Sequence, residues 1–170
     1  GGAVSDQERI ADLRLAWARF LAERGIDAES LLRALPDRVD GSSEFRARIA
    51  TYVDEGPVAL DLVARHVRPG MRILEVGSGI GLVSRFLATL GNDVVAIEPS
   101  SDGFQLMHDV QHVVDRLSGP VEHPGSLTRF RYGVDDLDPG VLGRFDLVFS
   151  ANVIEHVPDP ERALIHLHRF

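Results

Sequence analysis

The sequence predicts an α/β fold in which a mostly parallel sheet follows an all-helical N-terminal region. Three observations carry this. Beyond Pro69-Gly70, short apolar stretches alternate with helical patterns, as βαβ units do. Before that point, residues 5–67 show helical spacing only. One apolar stretch, Met71 to Val76, runs directly into a glycine-rich turn from which a helix leaves.

Taken in order, Ser5 and Glu8 form an S-x-x-E capping box, and Ile10, Leu13, Trp17, Phe20 and Leu21 recur at helical spacing until Gly25. Trp17 and Phe20 belong to a core on this reading. Asp27 caps a short helix carrying Leu31, Leu32 and Leu35, which Pro36 stops. A polar link, Asp37 to Ser43, leads to a helix through Phe45, Ile49, Tyr52 and Val53. Gly56-Pro57 restarts the helical pattern, which Leu60, Leu62, Val63 and Val67 carry to Pro69-Gly70. Then follow the strand Met71 to Val76, the loop Gly77 to Gly81, a helix Leu82 to Leu90 and a strand Asp93 to Ile97. A helix covers Ser101 to Leu117, a loop Ser118 to Leu127, and an exposed edge strand Thr128 to Tyr132. Phe145 to Ala151 is an apolar strand, and Asp159-Pro160 opens the last helix.

Composition narrows the chemistry. The 170 residues include no cysteine and no lysine, so disulfides, thiol catalysis, Schiff-base lysines and the P-loop lysine are all excluded. The net charge is -8, and both parts of the chain are acidic: up to Val67, 9 Arg stand against 12 acids, and beyond it 9 against 14. This argues against a nucleic-acid partner. The longest apolar run, Val94 to Ile97, is far short of the ~20 residues of a membrane span, and Gly1 to Gln7 reads as no secretory signal. A cytoplasmic protein is expected.

The most informative stretch is Glu75-Val76-Gly77-Ser78-Gly79-Ile80-Gly81. Glycines let the backbone turn tightly and approach a ligand at the carboxyl end of a strand, where open α/β sheets bind. The second strand ends in Glu98-Pro99, and an acid there is placed to accept hydrogen bonds from both hydroxyls of a ribose. The dinucleotide fingerprint G-x-G-x-x-G requires glycine or alanine at 82, where leucine stands; this disfavours an NAD(P)-dependent oxidoreductase, which is kept as an alternative.

Glu75, Gly77, Gly79 and Gly81, then Glu98, then the phrase Phe145 to Ser150 with Asn152-Val153-Ile154-Glu155-His156-Val157-Pro158, resemble the class I S-adenosylmethionine-dependent methyltransferases, over residues 58–170. The resemblance implies a Rossmann-like sheet of order 3-2-1-4 behind an N-terminal helical cap, with the cap at 1–56 and the cofactor domain at 57–170. The family pattern has seven strands in the order 3-2-1-4-5-7-6. The four read here imply a truncated sheet whose fourth strand is an open edge, inviting a second copy or a partner chain.

The resemblance also implies roles. Gly77 and Gly79, with Ser78, Gly81 and Pro99 around them, would admit the methionine part of the cofactor. Glu75 would fix the loop or receive the cofactor's amino group, and Glu98 would hold the ribose. Asp135 or Asp136, with Asp135 favoured, would meet the adenine amino group, and Asn152 would face the methyl-transfer region. The acceptor would be a small molecule methylated on O, N or C, with His156 as the nearest base. No metal is expected. Asn152 interrupts the E-x-x-E-H phrase of metal-binding relatives, and His108 and His112 are expected on a solvated helix face. A module that keeps the fold without catalysis is a further alternative.

Overall fold

The computed structural model describes residues 4–35, 42–99, 105–151 and 153–170, the side chains of residues 105, 106 and 155 excepted. Four helices come first: α1 (Asp6–Arg24), α2 (Ala28–Ala34), α3 (Ser43–Asp54) and α4 (Gly56–Val63). Then β1 (Arg72–Val76), α5 (Leu82–Thr89), β2 (Asp93–Ile97), α6 (Gln105–Ser118) and β3 (Ser126–Phe130) alternate. A short α7 (Pro139–Leu142), β4 (Leu147–Ser150) and α8 (Pro160–Leu167) complete the described chain.

Local signals set the helix ends. The Ser5–Glu8 capping box forms, and Gly25 ends α1 in the left-handed conformation. Asp27 caps α2, Asp159 caps α8, and Pro57 occupies the first turn of α4. The strands pair in parallel in the order β3-β2-β1-β4, the order the resemblance implies. Pro36, like most of the polar link after it, lies outside the described residues.

Two expectations need correction. Regular helix stops at Val63 and continues only as turns to His66, with Leu62 turned to solvent. β3 begins two residues earlier than alternation suggested. Its register is set by its partner: Ser126 donates from its N–H to the Asn92 carbonyl (3.0 Å) and from Oγ to Asp93 (2.6 Å). Pairing across strands fixes register, and a single strand's pattern does not contain it.

The sheet buries both faces. Leu74, Val76, Val95 and Ile97 face α7 and α8 through Leu142, Leu167 and Phe170. Ile73, Val94 and Phe149 face the other way, into a core shared by α1 to α6. There Trp17, Phe20 and Phe86 form an aromatic cluster, with ring centroids 5.3 Å apart for Trp17–Phe86 and 5.4 Å for Phe20–Phe86. Trp17 and Phe20 belong to α1, Phe86 to α5. The N-terminal helices therefore share one core with the sheet, and the expected boundary at residue 56 falls inside it. Gly56 is part of that contact: a Cβ there would meet the Trp17 ring at 2.2 Å.

A shared core predicts shared unfolding. Trp17 is the sole tryptophan, so its fluorescence reports the helices while far-UV circular dichroism reports the whole chain. In urea the two transitions should coincide. Phe86→Ala should move both together, costing about 3–5 kcal/mol. Separate transitions for the two probes would show that the helices unfold as an independent unit.

Candidate functional site

The loop between β1 and α5 begins where the sheet ends. The N–H groups of Gly77 and Ser78 donate to the Ile97 carbonyl, at 2.9 and 3.0 Å, tying the loop to the end of β2. Gly77, Gly79 and Gly81 all have positive φ (77°, 55° and 81°), a region costly for other residues. Gly77 is also sterically required, since a Cβ there would lie 2.0 Å from Val153 Cγ2.

A cleft of about 440 Å3 opens beside this loop, within the range of roughly 300–1,000 Å3 usual for small-molecule sites. Its floor is Glu75, Gly77, Ser78, Gly79 and Ile80; Glu98, Pro99 and Met107 form one side. Tyr52, Glu55, Gly56 and Ala59 enter from α3 and α4, and Val153, His156 and Val157 from the segment after β4. Three carboxylates line the cleft and no arginine does among the described residues.

Glu75 is buried at the end of β1 and accepts a hydrogen bond from Ser84 Oγ of α5. Burial pushes its carboxyl up to about 7; the Ser84 bond opposes this, Glu98 adds to it and Arg129 opposes it. Glu98, also buried, accepts the Gly79 N–H at 2.8 Å; burial raises its carboxyl and that bond partly offsets the rise. Burial raises the Tyr52 hydroxyl as well.

Behind the loop lies a second cavity of about 210 Å3, lined by His108, Gln111, His112 and Asp115 of α6 and by Arg129 and Arg131 of β3 and its extension, with Ser78 and Glu98 common to both spaces. Asp115 receives Arg85 and Arg129, each at 2.7 Å. Burial alone would raise Asp115, but the two guanidiniums outweigh it and hold its carboxyl low. Gln111 Nε2 donates to the Gly79 carbonyl at 2.5 Å.

The structure thus brings together Glu75, Gly77, Ser78, Gly79, Glu98, Pro99 and His156 around one cleft, with Gly81 adjoining as the N-cap of α5. It does not bring in Asp135 or Asp136. Asp136 accepts the Gly133 N–H at 2.7 Å, capping the 3-10 turn Val134–Asp136, and Asp135 is exposed, 3.9 Å from Arg162. Asn152 lies outside the described residues. Of the two histidines expected on a solvated face, His112 is exposed but His108 is buried, sharing the second cavity with Ala96 and Phe130 of the sheet. Among the described residues no three His, Asp or Glu come together to hold a metal. Sequence reasoning missed Gln111, Glu55 and Met107. Only position on a helix face could have marked them, and helical spacing does not say what a face meets.

The residues 44–170 match a family described as "Methyltransferase domain". The chain is 36% identical over 107 residues to the ubiquinone biosynthesis O-methyltransferase of Xanthomonas campestris pv. campestris (strain B100), covering 61% of this chain and 40% of that protein. It is 33% identical over 122 residues to the protein of that name from Hahella chejuensis, covering 71% and 46%. The chain thus spans less than half the length of these curated relatives. Its fold is similar to that of magnesium protoporphyrin IX methyltransferase (ChlM) from Synechocystis PCC 6803, solved with bound SAM, at a TM-score of 0.51 and 19% identity over 99% of this chain and 72% of that one.

The raised carboxyl of Glu75 makes stability depend on pH. The native group stays protonated up to about 7 while the unfolded one ionises near 4.5. Its contribution is therefore full below 4.5 and is lost as pH rises towards 7. In Glu75→Gln that loss should be absent. The variant should gain on the wild type by on the order of 2–3 kcal/mol between pH 5 and pH 8, measured by urea unfolding; equal slopes for both proteins would refute the assignment.

Proposed function

Since the chain belongs to the methyltransferase-domain family, we propose that its cleft binds S-adenosylmethionine and serves methyl transfer to a small-molecule O, N or C acceptor. The observation that carries this is the pair of buried carboxylates, Glu75 and Glu98, which face one cleft from adjacent strand ends across a glycine loop. A side chain at Gly77 would collide with Val153 across the cleft lining, and the acidic lining suits a cationic, hydroxyl-bearing ligand. The residues present therefore fit the cofactor.

When bound, S-adenosylmethionine supplies a methyl group already activated on a sulfonium. The protein's task is then to hold and align, and to keep water out. Glu98 would take the ribose hydroxyls, its carboxylate oriented by the Gly79 N–H. Glu75 would receive the ammonium group. Gly77 and Gly79 would let the backbone close on the methionine chain. Tyr52 and Glu55, from the N-terminal helices, wall the open side, where the acceptor would enter. His156, exposed at the rim on the 3-10 turn Ile154–His156, is the group we assign to taking a proton from an O- or N-acceptor. The oxidoreductase alternative loses its support with the family match and with Leu82. No helix among the described residues is long and apolar enough to cross a membrane. We place the activity in the cytoplasm, and we propose the β4 edge as the place where a further strand would pair, a second copy or a partner chain being among its sources.

Calorimetry tests the reading. S-adenosylhomocysteine should bind, NAD should not, and Glu98→Ala should remove binding while His156→Ala leaves it within about twofold. NAD binding alone would sink the proposal. A second outcome concerns protons. An ammonium near Glu75 favours its ionised form, so ligand binding should release protons near pH 7 and affinity should rise from pH 6 to 8. Heats compared in buffers of different ionisation enthalpy read this directly, and Glu75→Gln should abolish it.

A further inference from the structure

We propose that Gln111 is a positioning residue of the glycine loop and, through Glu98, of ligand binding; the second part rests on the reading of the cleft given above. Gln111 does not line the cleft. It lines the second cavity, behind the loop. From there its Nε2 donates to the Gly79 carbonyl at 2.5 Å, while the N–H of the same glycine donates to Glu98 Oε2 at 2.8 Å. Gly79 is thus gripped at both polar groups by side chains from two elements, α6 and the end of β2. Both side chains are buried, at 8% and 7% exposure, so neither bond competes readily with water.

The grip has rigid support. One turn beyond Gln111, Asp115 bonds to Arg85 of α5 and Arg129 of β3, and Val110 and Val114 seat α6 in the core. Gly79 itself is backbone with no side chain to anchor it, held at φ 55°. Without the Gln111 bond, the peptide plane after Gly79 is free to turn, and since only the soft φ and ψ of a glycine link it to the plane before, the N–H that orients Glu98 loses the support of its neighbour. A ligand held by Glu98 then meets a carboxylate in more than one orientation, which costs affinity without removing any ligand contact.

Gln111→Leu removes the donor, and Gln111→Glu replaces it with a group that donates only when protonated. The titratable groups that line the cavity with Gln111 are His108, His112 and Asp115 on α6 itself, Glu98 after β2, Arg129 on β3 and Arg131 just beyond it, with Arg85 of α5 bonded to Asp115. All are common to the wild type, so ratios to wild type isolate position 111. In Gln111→Leu, S-adenosylhomocysteine should bind about tenfold more weakly, and hydrogen exchange of the ligand-free protein should show the Gly79 amide losing protection while β1 amides keep theirs. In Gln111→Glu the affinity deficit should grow from pH 5 to pH 9, whereas that of Gln111→Leu stays level; a purely structural role would give no such pH profile. Affinity within twofold of wild type together with unchanged Gly79 protection would overturn the proposal. If the wild type binds no S-adenosylhomocysteine, the reading of the cleft fails, and Gly79 exchange still supports or overturns the hold of Gln111 on the loop.

Discussion

The site depends on one costly placement: a carboxylate, Glu75, on the face of β1 that points into the core. Its neighbours on that face are Ile73, Val94 and Phe149. A charge in such company is expensive unless paired, and the carboxyl responds by holding its proton to about 7. Much of the surrounding architecture moderates that cost. Ser84 comes from a helix that is buried almost throughout. Arg129 lies in the same cross-strand row, since Glu75 pairs with Ala96 and Ala96 with Arg129. Ala96 and Arg129 line the same cavity, and the guanidinium reaches the loop, where a Cβ on Gly81 would meet it at 3.0 Å. Asp115 then balances Arg129 and Arg85. One buried acid thereby constrains three strands and two helices.

The N-terminal helices follow from the same economy of space. They cover the face of the sheet that carries Glu75, and they do so with an aromatic cluster that interlocks α1 and α5. Gly56 lets α4 approach Trp17 closely. That approach carries Tyr52 and Glu55 to the mouth of the cleft. The helices therefore act as core and as wall at once, and the cleft's shape is tied to the protein's stability through the same residues.

The elements legible in the sequence were those specified locally. Capping residues mark α1, α2 and α8 because a side chain and an amide three residues on suffice to form a cap. β1, β2 and β4 were legible as apolar runs, β3 only through its alternation, and the glycine loop through its spacing. The misplaced β3 needed its partner, because register is a relation between strands. Glu75 and Glu98 were legible because they stand at fixed distances from the glycines. Asp135 and Asp136 had the right residue type in the right loop, but the 3-10 turn there uses Asp136 for its own cap and leaves Asp135 in solvent. Gln111 and His108 were illegible for a further reason. The helical pattern of α6 distinguishes apolar from polar faces, yet its polar flank meets buried charge and loop backbone instead of water, and no periodicity separates those two surroundings.

The arrangement of charge across the loop carries the functional argument one step further. Acids line the ligand side, and arginines with their partner Asp115 lie on the other side, separated by the backbone of Gly77 to Gly81. The loop's amides cannot carry that separation alone. Arg129 favours the charged form of Glu75 from behind the loop, while Glu98 is supported by the Gly79 N–H. The compensation is incomplete, as the raised carboxyls of Glu75 and Glu98 show. A cation entering the cleft completes it. The proposed positively charged ligand would offset that burial cost, whereas an anion would add to it. On the proposed reading, a preference for a cation would follow from the burial of the two acids rather than from any single contact with the ligand.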